Sequence, residues 1–291
     1  KITKGVYEMG SVFKSFTIAA GLENEVIKKD SVFNDLENEI SCAEHTISEH
    51  DDLPKNLTVE QILIRSSNIG AVRIAQKVGM NAYRDFLNSL KLFEKIDFEF
   101  EEIGTPLPFK WGKCKLATAS FGHGITTTPL QLARAYAILG NGGYEIKPSI
   151  SKKSNTSIVT RKRIISSETS RSINSMLRKV VALEEGTANF ANISGYEVGG
   201  KTGTSLKYKD KKKKFNTFVA LFPASKPKYV LLVILDEPKP APNLVYIING
   251  EKRASQARNE SGWNSVYAAG KIIEKIGPIL AIKNLQASNK F

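Results

Sequence analysis

The sequence contains few of the residues that cross-link small folds or bind metals. It has two cysteines and three histidines among 291 residues. Two cysteines are too few for a disulfide framework, and whether Cys42 and Cys114 pair cannot be read from the sequence. Cys42 lies near His45 and His50, but no fourth ligand is evident and the spacing matches no common zinc site. The sequence therefore predicts no metal centre, and a chain of this length can bury a core without one.

Long hydrophobic runs are also missing. The longest run covers residues 229–235, which is the length of a buried strand and too short to span a bilayer. No signal peptide opens the chain, which begins with Lys1 and not with methionine. These features favour a fragment whose export segment lies upstream.

Negative charge is scarce relative to positive charge. The formal net charge is +13, and residues 207–214, "KYKDKKKK", hold six lysines and one aspartate. Such a stretch can attract a polyanion or be a solvated loop. Aromatic residues do not alternate with these lysines as they do in many nucleic-acid binders, so we predict a solvated loop and no nucleic-acid partner.

Helical patterns dominate the first two thirds of the sequence. Capping boxes begin two of them, with Thr58 and Gln61 in one and Thr128 and Gln131 in the other. Helices are predicted over residues 11–20, 59–65, 68–79, 82–90, 129–140, 167–183 and 263–276. The segments between the first two helices and around Pro106 are predicted to be irregular.

Strand-like runs follow residue 194. They are "YEVGGKTGTS", "TFVALFPA" and "KYVLLVILDEP", joined by the lysine segment and by a short turn. This order predicts an antiparallel meander of three strands. The fold class is thus α/β of the α+β type, an antiparallel sheet flanked by helices with a helical half inserted before it.

The stretch "YEMGSVFKSF" places Ser11 three positions before Lys14. On a helix this spacing puts both side chains on one face, one turn apart. A helix start also leaves backbone N–H groups free to stabilise a developing negative charge. Lys14 could act as a base if burial lowered its pKa. One such match is equally typical of an ordinary helix start.

Two further motifs carry polar groups suited to catalysis. "SSN", residues 66–68, lies between two predicted helices, where a turn can direct Ser66 and Asn68 into a cleft. "GGKTGTS", residues 199–205, lies on a predicted strand. There Lys201 offers a charge for a carboxylate, and the glycines allow a ligand backbone to approach. Each motif alone also fits capping or strand chemistry.

Residues 195–202, "GYEVGGKT", match the phosphate-binding pattern GxxxxGK[ST]. That pattern requires a helix after the loop, whereas a charged segment and a strand follow here. Nucleotide binding is therefore not predicted.

The three motifs together point to one family. Serine–x–x–lysine, serine–x–asparagine and lysine–threonine–glycine occur in the order found in penicillin-binding proteins and class A β-lactamases. "FGHGITTTPLQLARAYAILGNGG", "EEGTA" and "SGWNSVYAAGKI" extend the likeness over nearly the whole chain. The chain resembles the transpeptidase domain of class B penicillin-binding proteins, and "SSN" favours the division-specific septal type.

The resemblance implies a role for each motif residue. Ser11 is then the acylated nucleophile, Lys14 its general base, Ser66 the proton relay and Lys201 its electrostatic support. A second set binds the substrate or its oxyanion: Asn68 holds the donor stem peptide, Lys201, Thr202, Gly203 and Thr204 hold its terminal carboxylate, and the backbone N–H groups of Ser11 and Thr204 form the oxyanion hole.

The resemblance also implies the protein's context. The substrates are stem peptides ending in D-Ala-D-Ala, β-lactams acylate the serine, and no cofactor is used. The expected setting is the bacterial inner membrane, with the domain in the periplasm beside a glycosyltransferase and other division proteins. We predict a domain over residues 1–280, without the first strands of its sheet, and a tail over residues 281–291.

Other functions on the same fold stay open. A D,D-carboxypeptidase or a β-lactamase would share the motifs. A β-lactamase needs a second base, for which only Glu101 and Glu102 are candidates. A β-lactam sensor or division scaffold without catalysis is the third alternative, which the intact motifs disfavour.

Overall fold

The computed structural model describes residues 1–43, 45–151, 162–207 and 210–288. The helices are α1 (Lys14–Glu23), α2 (Val59–Ile64), α3 (Asn68–Val78), α4 (Met80–Ser89), α5 (Lys113–Ala119), α6 (Pro129–Gly140), α7 (Ser167–Ala182) and α8 (Ser265–Ser288). The strands are β1 (Val32–Phe33), β2 (Glu39–Cys42), β3 (His45–Ser48), β4 (Leu57–Thr58), β5 (Gly199–Lys207), β6 (Asp210–Phe222), β7 (Tyr229–Asp236), β8 (Val245–Ile248) and β9 (Glu251–Ala254). Short 3-10 turns cover Gly10–Phe13, Asn189–Ala191 and Ser261–Trp263.

The main sheet is the predicted antiparallel meander. Its order is β5-β6-β7, and Lys201 pairs with Val219 across the first two strands. β5 is therefore an edge strand within the described sheet. Helix α7 packs against β5. The turn Gly10–Phe13 also lies beside β5 and leads into α1. This arrangement places the start of α1 next to the lysine–threonine–glycine strand.

Helix α1 lies at the centre of the hydrophobic core. Phe13 and Phe16 are fully buried, and Phe16 contacts the Tyr136 ring of α6 edge to face, with centroids 5.2 Å apart. The Tyr136 hydroxyl donates to the Val12 carbonyl at 2.7 Å, and its oxygen lies 2.9 Å from Ser15 Oγ, which can donate to it. The turn Gly10–Phe13, which carries Ser11, is thus held in place by buried aromatic residues and hydrogen bonds.

Both predicted capping boxes are present. Thr58 and Gln61 close the first turn of α2. Thr128 and Gln131 do the same for α6, with Pro129 in its first turn. In each case the Thr side chain accepts from the Gln backbone N–H, and the Gln side chain accepts from the Thr backbone N–H. Two otherwise unpaired donors are thereby satisfied at each helix start.

Two glycines lie inside helices that were expected to end near them. α1 continues past Gly21 to Glu23, and α8 continues past Gly277 and Pro278 to Ser288. A Cβ atom on Gly21 would lie 2.5 Å from the Ile27 side chain, and one on Gly277 would lie 2.3 Å from the Tyr196 ring. Both glycines therefore serve close packing and not termination. The predicted tail is helical as far as residue 288.

The lysine segment is mostly strand, so the predicted loop was wrong. β5 ends at Lys207 and β6 begins at Asp210; residues 208 and 209 lie outside the described part. Lys207 lies 2.6 Å from carboxylate oxygens of both Asp236 and Glu237, at the end of β7. Acidic groups of the same sheet therefore offset part of this positive run.

Several short elements were not predicted. The hairpin β2–β3 pairs Glu39 with Ser48 and Ile40 with Ile47, in a segment that was expected to be irregular. Helix α5 and the hairpin β8–β9 were missed in the same way. Cys42 at the end of β2 forms a disulfide with Cys114 in α5. Cys42 therefore offers no thiolate to a metal, and the hairpin is covalently tied to the helical half.

In the described ranges, no helix is both long enough and apolar enough to cross a membrane.

Candidate active site

Ser11 lies in the 3-10 turn Gly10–Phe13, and Lys14 is the first residue of α1. The predicted helix start therefore exists, although its first turn is tighter than an α-helix. Lys14 is fully buried, and its amine points towards the "SSN" turn. It donates to the Ser66 carbonyl oxygen in a short hydrogen bond and to Ser66 Oγ at 3.2 Å.

Ser66 is the point at which the three motifs meet. Lys201, on β5, donates to the same Ser66 Oγ at 2.8 Å. Ser66 itself has a φ of 63°, a left-handed conformation that is uncommon for a residue with a side chain. Such strain is kept where the surroundings fix it, often at functional sites. The fold thus holds one hydroxyl between two lysine amines.

Burial changes the protonation of both lysines. It lowers the pKa of Lys14 to about 7, although the nearby carboxylate of Glu49 opposes the effect. Burial, together with the charge of Lys14, also holds the pKa of Lys201 well below its ordinary range. A lysine that is partly neutral near pH 7 can accept a proton, whereas an ordinary lysine cannot.

The residues after Ser66 form hydrogen bonds with the last residue of β3, Ser48, and with the next residue, Glu49. Ser67 Oγ donates to Glu49 Oε1 at 2.5 Å and caps α3 by accepting from the Gly70 N–H. The Asn68 side chain donates from Nδ2 to the Ser48 carbonyl at 2.8 Å. Within the described residues its buried Oδ1 has no partner. Ser67 therefore stabilises the turn through Glu49 and the start of α3.

Glycines allow β5 to lie against the turn Gly10–Phe13. A Cβ atom on Gly203 would lie 2.3 Å from the Met9 carbonyl oxygen, and one on Gly10 would lie 2.8 Å from the Thr204 carbonyl oxygen. Gly10 also has a φ of 63°. Only residues without a side chain permit this approach. The backbone of Thr204 is consequently brought beside that of Ser11.

The threonine side chains of β5 form hydrogen bonds with residues that follow α7 and with the 3-10 turn Ser261–Trp263. Thr202 Oγ1 lies 2.8 Å from Thr187 Oγ1, and Thr204 Oγ1 accepts from the Ser261 N–H at 3.2 Å. Lys201 Nζ also donates to the Thr202 carbonyl at 3.2 Å. Lys201 Nζ also donates to Thr202 Oγ1 at 3.4 Å, so the hydroxyl oxygens of both Thr202 and Thr204 have partners within the protein.

Comparison with known proteins assigns a family to this arrangement. The model of the penicillin binding protein transpeptidase domain matches residues 1–259. The chain belongs to this family.

Relatives and solved structures agree with the assignment. The chain is 35% identical over 291 residues to the probable peptidoglycan D,D-transpeptidase FtsI of Caulobacter vibrioides, covering 96% of this chain and 47% of the relative. It is 31% identical over 274 residues to a peptidoglycan D,D-transpeptidase FtsI homolog of Mesostigma viride, covering 80% of this chain and 45% of the relative. The chain thus spans about half the length of these curated relatives.

One solved structure resembles the transpeptidase domain closely. It is the apo transpeptidase domain of penicillin-binding protein 3 from Burkholderia pseudomallei, with a TM-score of 0.81 and 27% identity, covering 96% of this chain and 81% of that one. The predicted fold, and the resemblance to the division-specific type, are confirmed.

The transpeptidase domain brings all predicted site residues together. Ser66 joins Lys14 to Lys201 through hydrogen bonds, and β5 carries Thr202, Gly203 and Thr204 past the turn that holds Ser11. Within the described part of the chain, the Ser11 hydroxyl has no hydrogen-bond partner, and the Lys14 amine binds Ser66 instead. The chemical role of each residue stays a prediction.

Sequence reasoning missed two residues near the site, Glu49 and Thr187. Glu49 lies in a polar stretch without a motif, so no local signal identified it. Thr187 belongs to "EEGTA", which was noted only as part of the family resemblance. Glu101 and Glu102, the two candidates for the second base of a β-lactamase, are both exposed. Glu102 forms an ion pair with Lys4 at the surface.

Proposed function

We propose that this chain is the catalytic part of a peptidoglycan D,D-transpeptidase that cross-links stem peptides in septal wall synthesis. The observation that carries the proposal is the shared hydroxyl of Ser66, which accepts from Lys14 and from Lys201. It connects a base beside the nucleophile with the strand that would bind the substrate carboxylate.

In the first step Lys14 removes the proton from the Ser11 hydroxyl. Ser11 Oγ attacks the carbonyl carbon between the two terminal D-Ala residues, and the negative charge on its oxygen is held by the N–H groups of Ser11 and Thr204. Each such donor contributes on the order of 3 kcal/mol to transition-state stabilisation. The C–N bond then breaks, and the D-Ala amine leaves with a proton passed through Ser66 Oγ.

In the second step an amine of a neighbouring stem peptide attacks the Ser11 ester. Its surplus proton passes along the same route to the Ser11 oxygen, which is released as a hydroxyl. A new amide bond replaces the old one, so no energy source or cofactor is required. Asn68, Thr202 and Thr204 hold the donor peptide along β5, whose position at the edge of the described sheet suits an extended peptide.

The proposed activity also implies the cellular compartment in which the protein acts. The disulfide between Cys42 and Cys114 is typical of an oxidising compartment such as the bacterial periplasm. We propose that a membrane anchor holds the domain there. Its partners are then stem peptides, β-lactams, a glycosyltransferase and other division proteins.

Incubation with a fluorescent penicillin, followed by mass spectrometry of the labelled peptide, tests the proposal. We expect a long-lived adduct on Ser11 and none in Ser11→Ala. Rapid release of hydrolysed penicillin would instead indicate a β-lactamase. With a peptide ending in D-Ala-D-Ala and an added amine, a transpeptidase releases D-Ala and forms the amide, whereas a carboxypeptidase forms only the free acid. No adduct on a folded chain would contradict the proposal.

A further inference from the structure

Glu49 lies outside the three motifs, yet its carboxylate contacts the turn that carries one of them. It accepts hydrogen bonds from Ser67 Oγ at 2.5 Å, from the Asn68 N–H at 2.7 Å and from the Ile69 N–H at 2.9 Å. Three donors from consecutive residues thus end on one side chain. Two of them are backbone N–H groups in the first turn of α3, which have no partner within the helix itself. The helix dipole also favours a negative charge at this end.

The neighbouring backbone holds the same turn from a second direction. The Ser48 carbonyl, one residue before Glu49, accepts from Asn68 Nδ2. Ser48 ends strand β3, and the hairpin β2–β3 is tied to α5 by the Cys42–Cys114 disulfide. The carboxylate is therefore presented by an anchored hairpin and not by a free loop.

The turn needs such support because its first residue is strained. Ser66 has a φ of 63°, which costs on the order of 1 kcal/mol or more for a residue with a Cβ atom. Its Oγ must still meet both lysine amines. Fixing the next three residues restricts Ser66 to this conformation.

Glu49 also supplies a negative charge near Lys14. Among the described residues, the charge of Lys14 also interacts with Lys201 on β5 and with His50, the residue after Glu49. His50 further interacts with Asp51 and with Lys214 of β6. Among these groups, Glu49 is the one whose effect on Lys14 opposes that of burial.

We propose that Glu49 is a positioning residue for acylation: its carboxylate fixes the Ser66–Asn68 turn and places a negative charge beside the Lys14 amine. It has no contact with the substrate in this role. The inference rests on the proposed function, because it concerns the proton path between Ser11, Lys14 and Ser66.

The charge effect gives a signature that a purely structural role lacks. Glu49 favours the protonated form of Lys14, so its removal must lower the pKa of Lys14 further. The acylation rate rises with pH as Lys14 loses its proton and then reaches a plateau. Neutralising Glu49 should therefore move this rise to lower pH, while the weaker hold on the turn lowers the plateau.

The test measures the second-order rate of acylation by a fluorescent penicillin from mildly acidic to alkaline pH. Three variants of the full chain are compared with the wild type, and each is checked by thermal melting. Glu49→Gln keeps the size and removes the charge. Glu49→Asp keeps the charge on a shorter side chain. Glu39→Gln removes an exposed charge from the same hairpin and is the matched control.

For Glu49→Gln we expect a plateau rate reduced about tenfold, as for loss of a charged hydrogen-bond acceptor, and a rise displaced to lower pH. Glu49→Asp should have a lower plateau with the rise near its wild-type position, and Glu39→Gln should match the wild type. A Glu49→Gln profile that coincides with the wild type would overturn the inference.

Two further outcomes are also decisive. If Glu49→Gln does not fold, a wild-type plateau rate in Glu49→Asp would overturn the inference, because the shorter side chain cannot reach all three donors at once. If the wild type itself forms no adduct on Ser11, the proposed function fails, and that result is separate from any difference among the variants.

Discussion

Lys14 and Lys201 donate to the same oxygen, Ser66 Oγ, at 3.2 Å and 2.8 Å. Both lysines are fully buried, so two amines that would each carry a positive charge in water share one small polar site. Two buried positive charges this close together are unfavourable, so each lysine loses its proton more readily than a lysine in water. The same property that weakens the fold makes Lys14 usable as a base.

The buried Lys14 amine should make stability depend on pH. Its pKa is lowered from 10.5 to about 7 in the folded chain, so between these values the unfolded chain binds more protons than the folded one. The free energy of unfolding should then increase as the pH rises from about 7 to about 10. Lys14→Met should reduce this slope and, at neutral pH, stabilise the chain by at least about 1 kcal/mol, because an apolar group replaces a buried cation.

Urea unfolding at several pH values measures this effect. Lys226→Met, at an exposed position, is the control and should keep the wild-type slope. An unchanged slope in Lys14→Met would mean that burial does not lower the pKa of Lys14.

Gly122 should be essential for the position of Ser11. Its φ is 80°, and a Cβ atom there would lie 2.1 Å from the carbonyl oxygen of Gly10, which immediately precedes Ser11. We expect Gly122→Ala to shift the turn Gly10–Phe13 and to slow acylation by a penicillin at least about tenfold, since small displacements of reacting groups have large effects on rate.

Gly195→Ala separates crowding from backbone strain. Gly195 has a φ of 82°, and a Cβ atom there would have no neighbour within 4 Å. This variant should lose about 1 kcal/mol of stability and acylate at the wild-type rate. Equal acylation rates in the two variants would contradict a role for close packing at Gly122.

Thr187 should act on substrate binding through Thr202. The two hydroxyl oxygens are 2.8 Å apart, so Thr187→Val removes this partner and leaves Thr202 Oγ1 with the longer bond from Lys201 Nζ at 3.4 Å. We expect acylation at low penicillin concentration to slow about fivefold, the effect of losing roughly 1 kcal/mol of hydrogen-bond energy. Thr187→Ser keeps the hydroxyl and should restore the rate. If Thr187→Ser acylates slowly although its melting temperature is normal, the hydrogen bond between Thr187 and Thr202 does not explain the effect.

The Cys42–Cys114 disulfide should stabilise the chain substantially. The two residues are 72 positions apart, and a cross-link that closes a loop of this kind typically contributes about 2–4 kcal/mol. Denaturant unfolding with and without reductant should reveal a loss of this size. A Cys42→Ser/Cys114→Ser double variant should match the reduced wild type and should not respond to reductant; any further response would point to another cause.

The sequence identified the parts of the fold that carry local signals. Capping residues located α2 and α6, because a Thr and a Gln three positions later satisfy each other's backbone. The β-strand meander was visible from apolar runs separated by turns. The three motifs identified Ser11, Ser66 and Lys201 as site residues because each has a fixed spacing to a neighbour.

What was missed depends on contacts between distant segments. The strand β2 has a weak alternation of exposed and half-buried residues, so nothing in its own sequence predicts pairing. Glu49 acquires its partners only when the hairpin packs on α3. Gly277 and Pro278 usually end a helix, yet α8 continues through them, and the glycine is required by the Tyr196 ring, which packs where a Cβ atom would lie.

The hydrogen bond between Lys201 and Ser66 spans 135 positions of the chain. Ser11, Lys14 and Ser66 all precede the strand bearing Lys201 by a long stretch of chain, so during synthesis they exist before this partner has been made. Contacts of such long sequence separation also form slowly, because the intervening chain must be ordered first. Reactivity at Ser11 should therefore appear abruptly and late, and its appearance marks the completed fold.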